Sequence, residues 1–314
     1  MLFFIIYLIS FHFVINSDDW FLVWFGLEIN MLMFIILIYN RYSMYNIESC
    51  FKYFFIQSLG SAVFVGFFYL EYKCMDMILC ILLSYKMGAG PFFYWFPSVC
   101  SGISWLSCFI LMSIQKIIPM MLIGMFVSWI VFFMVLFSLM FGVLGSFNQS
   151  DFKQLMAYSS IYHLGWMMMC LFLYDMMWVN YLLMYTIMIF PLMFFMWWLD
   201  VFHMNEMLKV SSKLMFIFLM LSMAGMPPFL GFFIKWMAFI GIVKLSFIFG
   251  IILILSSIVM FYVYFRVIYS FLFKYYNCSS WINLIIFNNG KLKLDLISVI
   301  GLFFGLIVSM FMIL

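Results

Sequence analysis

The chain has 314 residues, 69% of them apolar and 24% aromatic, while 14 basic and 11 acidic side chains leave a net charge of +3. Soluble domains run near half apolar and a quarter charged, so a wetted globular surface is excluded, and disorder is excluded by the opposite excess. A charge so small and scattered also excludes nucleic acid as a partner. What remains is a protein solvated by lipid, and the mean hydropathy of +1.24 agrees. Phe 45 and Met 33 are extreme counts, beyond what hydrophobicity alone requires, and suggest an AT-rich organelle gene. The start, Met1-Leu2-Phe3-Phe4-Ile5-Ile6, carries no basic n-region and no Arg-rich transit segment.

Outer-membrane strands alternate polar and apolar residues. Here apolar runs of about 20 residues follow one another, the length of a membrane-spanning helix. They predict an all-α polytopic protein with eleven spans: 1–15, 20–39, 51–70, 75–96, 103–123, 124–145, 154–174, 178–199, 213–243, 246–272 and 294–314. Connections are brief and polar, such as Asn40-Arg41-Tyr42-Ser43, and the longest runs from Lys274 to Lys293. No linker divides the chain, so residues 1–314 form one domain. Arg41, Lys52, Lys153, Lys209, Lys213, Lys274, Lys291 and Lys293 fall on the N-terminal side; only Lys73 and Lys244, with Asp18, Asp19 and Asp175, fall on the other. Positive charge stays on the untranslocated side, which puts the N-terminus inside and, after eleven spans, the C-terminus outside.

Two spans are interrupted. The fourth carries Lys86-Met87-Gly88-Ala89-Gly90-Pro91 and the ninth Ala224-Gly225-Met226-Pro227-Pro228. Proline removes a backbone donor, and in lipid the freed carbonyls are tolerated only where protein or a wet cavity satisfies them. The breaks lie five spans apart and so cross in opposite senses. That is the arrangement of an inverted repeat of five-helix units with an eleventh span appended; the residues themselves show no repeat.

An ionised group at a helix centre costs about 2.5–3.5 kcal/mol on insertion scales, so four of them demand an explanation. Glu28 lies midway along the second span, Lys86 just before the first break, Lys116 inside the fifth span and Lys235 after the second break. Burial disfavours a charged amine and a neighbouring carboxylate favours it, so lysines with one glutamate can exchange protons. Structural ion pairs, or lysines snorkelling to the interface, are the alternatives. Lys153, beside Asp151, reads as an interfacial anchor. His163 reads equally as a proton relay or a packing histidine. Three histidines, His12, His163 and His203, are too few for a bis-haem or haem–copper centre. The seven cysteines show no ligand spacing and read as small apolar filler.

Several blocks resemble one family. Trp24-Phe25-Gly26-Leu27-Glu28-Ile29-Asn30-Met31-Leu32, Lys86-Met87-Gly88-Ala89-Gly90-Pro91-Phe92 with Trp95 and Pro97, Gln115-Lys116 with Pro119, Met156-Ala157-Tyr158-Ser159-Ser160-Ile161-Tyr162-His163-Leu164-Gly165-Trp166, and Gly225-Met226-Pro227-Pro228-Phe229-Leu230-Gly231-Phe232 with Lys235-Trp236 occur in family order. They are similar to the subunit 2 family of mitochondrial NADH dehydrogenase, complex I. The resemblance implies a proton-pumping subunit of NADH:ubiquinone reductase in the mitochondrial inner membrane, N-terminus in the matrix and C-terminus in the intermembrane space. It implies no cofactor or metal on this chain, with NADH, FMN, iron–sulfur clusters and ubiquinone in other subunits. Its partners would be other membrane-arm and accessory subunits and membrane lipids. Glu28, Lys86, Lys116 and Lys235 would form the family's charged axis, with Lys153 and His163 beside it. The chain departs from the family at Gln154, where a second basic residue is usual, and at Phe93 and Ser98, where histidine and an acid are. Two rivals stay open: a stand-alone cation/proton antiporter subunit, and a structural subunit that passes no protons.

Overall fold

The computed structural model describes residues 2–17, 19–68, 75–173, 176–199 and 213–276. The expected span at 294–314, the connection 277–293, and Asp18, Lys73, Asp175 and Lys209 lie outside the described residues. Within them every regular element is helical. In chain order these are α1 (Leu2–Asn16), α2 (Trp20–Ile38), α3 (Met44–Phe68), α4 (Met75–Met87), α5 (Trp95–Gly102), α6 (Trp105–Met112), α7 (Ile117–Met125), α8 (Ile130–Ser146), α9 (Phe152–Cys170), α10 (Met177–Leu199), α11 (Lys213–Ala224), α12 (Leu230–Leu245) and α13 (Phe247–Tyr276). Among the described residues, five stretches are long and apolar enough to cross a bilayer: Trp20–Ile38, Met44–Phe67, Trp105–Met125, Met177–Leu199 and Phe247–Ser270. The spans expected at 75–96 and 213–243 each resolve into two helices with a break between.

The organising element is α9. Every residue from Phe152 to Cys170 is buried except Gln154 and Tyr158, because α5, α6, α8, α10 and α12 all pack on it. A helix surrounded by protein needs no lipid-facing stripe, so α9 can carry Lys153, Ser159, Ser160 and His163 and stay inside. The outer helices do the reverse. Phe190, Phe194 and Trp198 of α10 and Ile248, Leu255 and Ile258 of α13 face outward, as lipid solvation requires.

The two breaks are built alike. α4 ends at Gly88, whose φ of 70° lies in the left-handed region, and α11 ends at Gly225, with φ of 84°. Only glycine adopts this backbone without cost. The Gly88 N–H donates to Tyr85 O and the Ala89 N–H to Ser84 O; correspondingly, Gly225 N–H donates to Ser222 O and Met226 N–H to Leu221 O. Each pair of bonds is a Schellman cap, which satisfies the last carbonyls of a helix. A third bond recurs, from Phe92 N–H to Ala89 O and from Phe229 N–H to Met226 O, and each break holds one cis bond, Gly90–Pro91 and Pro227–Pro228. All these features stand at one constant offset along the chain.

A third interruption was not expected. Between α6 and α7 the chain tightens into a single 3-10 turn, Ile114–Lys116. The Ser113 hydroxyl donates back to Phe109 O at 2.5 Å, and Pro119 in the first turn of α7 withholds a donor. The turn swings Lys116 inward, to 1% exposure.

Candidate functional site: a buried file of lysines

Lys86, Lys116 and Lys235 are all buried, each next to an irregular stretch of backbone. Lys86 occupies the last turn of α4, Lys116 the 3-10 turn, and Lys235 the second turn of α12. Backbone carbonyls receive two of the ammonium groups. Lys116 Nζ donates to Ser160 O at 3.0 Å and Lys235 Nζ to Ala224 O at 2.9 Å, the latter a carbonyl freed where α11 stops. Aromatic faces complete the shell. Lys116 Nζ lies 5.5 Å from the Phe96 ring centroid and 5.4 Å from that of Tyr185; Lys235 Nζ lies 5.6 Å from that of Tyr162. Such contacts are worth about 2 kcal/mol when desolvated.

A cavity of about 30 Å³ joins Lys86 to Lys116, enough for water. Its polar lining is Asn30, Tyr53, Gln57 and Gln115. Gln57 donates to Lys86 O at 2.9 Å, and Gln115 Nε2 is buried without a protein partner among the described residues.

From Lys116 toward Lys235 the path is aromatic and polar. His163, 1% exposed, pairs through Nδ1 with the Tyr181 hydroxyl at 2.9 Å. Its ring centroid is 5.0 Å from that of Tyr185 and 5.3 Å from that of Tyr162, the rings under Lys116 and Lys235. His163 Nε2 and the hydroxyls of Tyr162, Tyr185 and Tyr264 are buried without protein partners among the described residues. Leaving such groups dry costs about 1–3 kcal/mol each, so this centre is suited to ordered water.

Glu28 is less enclosed than the three lysines. It is close enough to Lys86 for their charges to interact, but it is only partly buried. The reason lies in its helix: α2 packs mainly on α1 and α3, which leaves part of its circumference open.

Lys153 is a correction. It is not an interfacial anchor but is 5% exposed, donating to the Ile103 carbonyl with its ammonium 5.2 Å from the Trp105 ring centroid. The connection from α5 to α6 folds over it. Beside it opens a cleft of about 560 Å³ between the start of α3, the end of α5 and the start of α9, lined among others by Lys52, Ser98, Ser101 and Asp151. Sequence reasoning missed Gln57, Tyr185 and this cleft, all of them products of packing between distant segments.

Comparison with known proteins follows this geometry. Residues 69–260 match the family model described as NADH:quinone oxidoreductase/Mrp antiporter, TM. The chain is 37% identical over 228 residues to NADH-ubiquinone oxidoreductase chain 2 of Aedes aegypti, covering 69% of this chain and 67% of the relative. It is 34% identical over 302 residues to that of Anopheles gambiae, covering 90% and 89%. Among solved structures, a chain of respiratory complex I from Thermus thermophilus superposes with a TM-score of 0.76 at 22% identity, over 86% of this chain and 70% of that one.

Proposed function

The chain belongs to the NADH-ubiquinone oxidoreductase chain 2 family, and from that premise we propose that protons cross the membrane arm of NADH:ubiquinone reductase through its buried lysine file. It is a multi-pass subunit of the mitochondrial inner membrane. Electron transfer belongs to other subunits, which hold NADH, FMN, iron–sulfur clusters and ubiquinone. This chain supplies ionisable groups and the water between them. The N-terminus faces the matrix, and eleven spans place the C-terminus across the membrane.

The observation that carries the reading is the environment of Lys116. An ammonium 1% exposed, one carbonyl at 3.0 Å and two aromatic faces form a site that holds a cation without neutralising it. Water-sized space toward Lys86 and unsatisfied polar atoms toward Lys235 extend it both ways. The matched caps at Gly88 and Gly225 support the inverted repeat: what repeats is backbone conformation, with little residue identity.

The antiporter rival shares this fold. The relatives' names favour the respiratory enzyme, and co-purification of the native chain with NADH:ubiquinone reductase activity separates the two. The structural rival is tested by Lys116→Ala. Proton translocation per NADH oxidised in sealed vesicles should fall while the amount of assembled complex stays near normal. Normal translocation would leave Lys116 a structural cation only.

A further inference from the structure

Groups that hold Lys153 and Lys116 lie seven positions apart on two different helices. Along α9, Lys153 stands seven positions before Ser160, whose carbonyl holds Lys116. Along α5 and its continuation, Phe96, whose ring lies under Lys116, stands seven positions before Ile103, whose carbonyl holds Lys153. At 1.5 Å per residue the second count puts the anchors of the two ammonium groups about 10 Å apart, too far for direct proton transfer. The stretch of α9 between them presents Leu155, Met156 and Ala157, all buried and apolar. The Ser159 and Ser160 hydroxyls donate back into their own helix, to Met156 O and Ala157 O.

Two thiols occupy the gap. Cys100 lies on α5 between Phe96 and Ile103, one turn from the first and almost one from the second, on the same helix face. Cys108 lies on α6, one turn beyond the Trp105 ring that faces Lys153. Both are 0% exposed, and Cys108 Sγ donates to Cys100 O at 3.1 Å. Cys100 is near enough to both lysines for their charges to interact, and Cys108 near enough to Lys153. The cleft that Lys153 lines opens on the side where α2 ends and α3 and α9 begin.

We propose that Cys100 and Cys108 form a thiol relay carrying protons from Lys153, at the floor of the cleft, to Lys116. This rests on the reading of the lysines as proton carriers. Cys100 first gives its proton to the neutral amine of Lys116; the thiolate then takes the proton of Cys108, whose side chain hydrogen-bonds with it, and the Lys153 ammonium reprotonates Cys108. Each sulfur makes one S–H bond and breaks one, so the thiols end unchanged and one proton has moved.

The test uses the whole complex assembled with Cys100→Ala/Cys108→Ala, Cys100→Ser/Cys108→Ser or Lys116→Ala chains, in inside-out inner-membrane vesicles. NADH oxidation with an artificial acceptor reports the redox arm independently. The double alanine should slow proton translocation at least about tenfold, as loss of an acid–base group does. The double serine, which restores a donor and acceptor at each position, should bring it back to within about twofold. If the alanine pair does not assemble, Cys108→Val, which fills the site without a donor, takes its place with the same expectation. Normal translocation in the alanine or valine variant, with Lys116→Ala inactive, overturns the relay and leaves the lysine file standing. Normal translocation in both that variant and Lys116→Ala overturns the lysine file as well. Serine and alanine pairs equally slow would show that the cysteines act by packing, which also overturns the relay.

Discussion

At the break between α4 and α5 the lysine comes before the left-handed glycine, and the Lys86 carbonyl is taken by Gln57 reaching across from α3. At the break between α11 and α12 the lysine comes after it, in the next helix, and Lys235 reaches back to the Ala224 carbonyl itself. The backbones correspond bond for bond; the donors that serve them do not. A left-handed glycine followed by proline fixes which carbonyls lose their helical partners. Any nearby donor can then satisfy them: a neutral amide serves the carbonyl two residues before Gly88, and an ammonium the carbonyl directly before Gly225. Backbone geometry is what the two breaks share, and the donors placed around it differ.

The largest expected difference between the halves is at the lysines. Lys235→Ala removes both a cation and the donor to Ala224 O, and translocation per NADH oxidised should fall at least about tenfold. Lys86→Ala leaves its carbonyl capped by Gln57 and should cost less in assembled complex. Equal losses of assembly in the two variants would break the distinction. Lys235→Arg should be nearly as damaging to translocation as alanine, because a guanidinium keeps its proton at any accessible pH.

Valine at Gly88 or Gly225 puts a β-branched residue at φ of 70° or 84°, which should cost about 2 kcal/mol or more. Both should reduce assembled complex, read as its yield after graded heating. Alanine is the sharper probe. A Cβ at Gly225 would sit 3.0 Å from Lys235 Nζ, whereas at Gly88 it would meet the Phe96 side chain. Gly225→Ala should therefore lower translocation per assembled complex more than Gly88→Ala does. Smallest of all, Gln57→Leu removes one buried hydrogen bond and should cost about 1 kcal/mol, seen as a modest shift in the heating curve. A loss as large as that of Lys235→Ala would show Gln57 to be more than a cap.

Both breaks were legible in the sequence because glycine and proline act locally, within one turn of chain. For Lys86, Lys116 and Lys235 the sequence left burial and snorkelling to the interface both open, because a long side chain among apolar neighbours can do either; packing decides for burial. The turn at Ile114–Lys116 was not legible: its cause is a serine bonding to the preceding helix, and serine does that in many helices without breaking them. Lys153 was misread because its position at a helix start suggests an interface, while its burial comes from the α5–α6 connection, far away in sequence. The correspondence of the two breaks was invisible for another reason. It resides in φ values and hydrogen bonds, and Ala89 and Gly90 of one break stand where Met226 and Pro227 stand in the other.

Lys116, Lys153 and Lys235 each donate to a backbone carbonyl and face an aromatic ring. A ring face and a carbonyl dipole attract a cation but cannot themselves take its proton, as a carboxylate could. The attraction is also modest, about 2 kcal/mol for the ring. Resting places of this kind are shallow, whereas a strong ion pair would be a well that a passing charge fills and does not leave. Conduction needs binding strong enough to admit an ion and weak enough to release it, and tyrosine, phenylalanine and tryptophan meet that condition better than aspartate would.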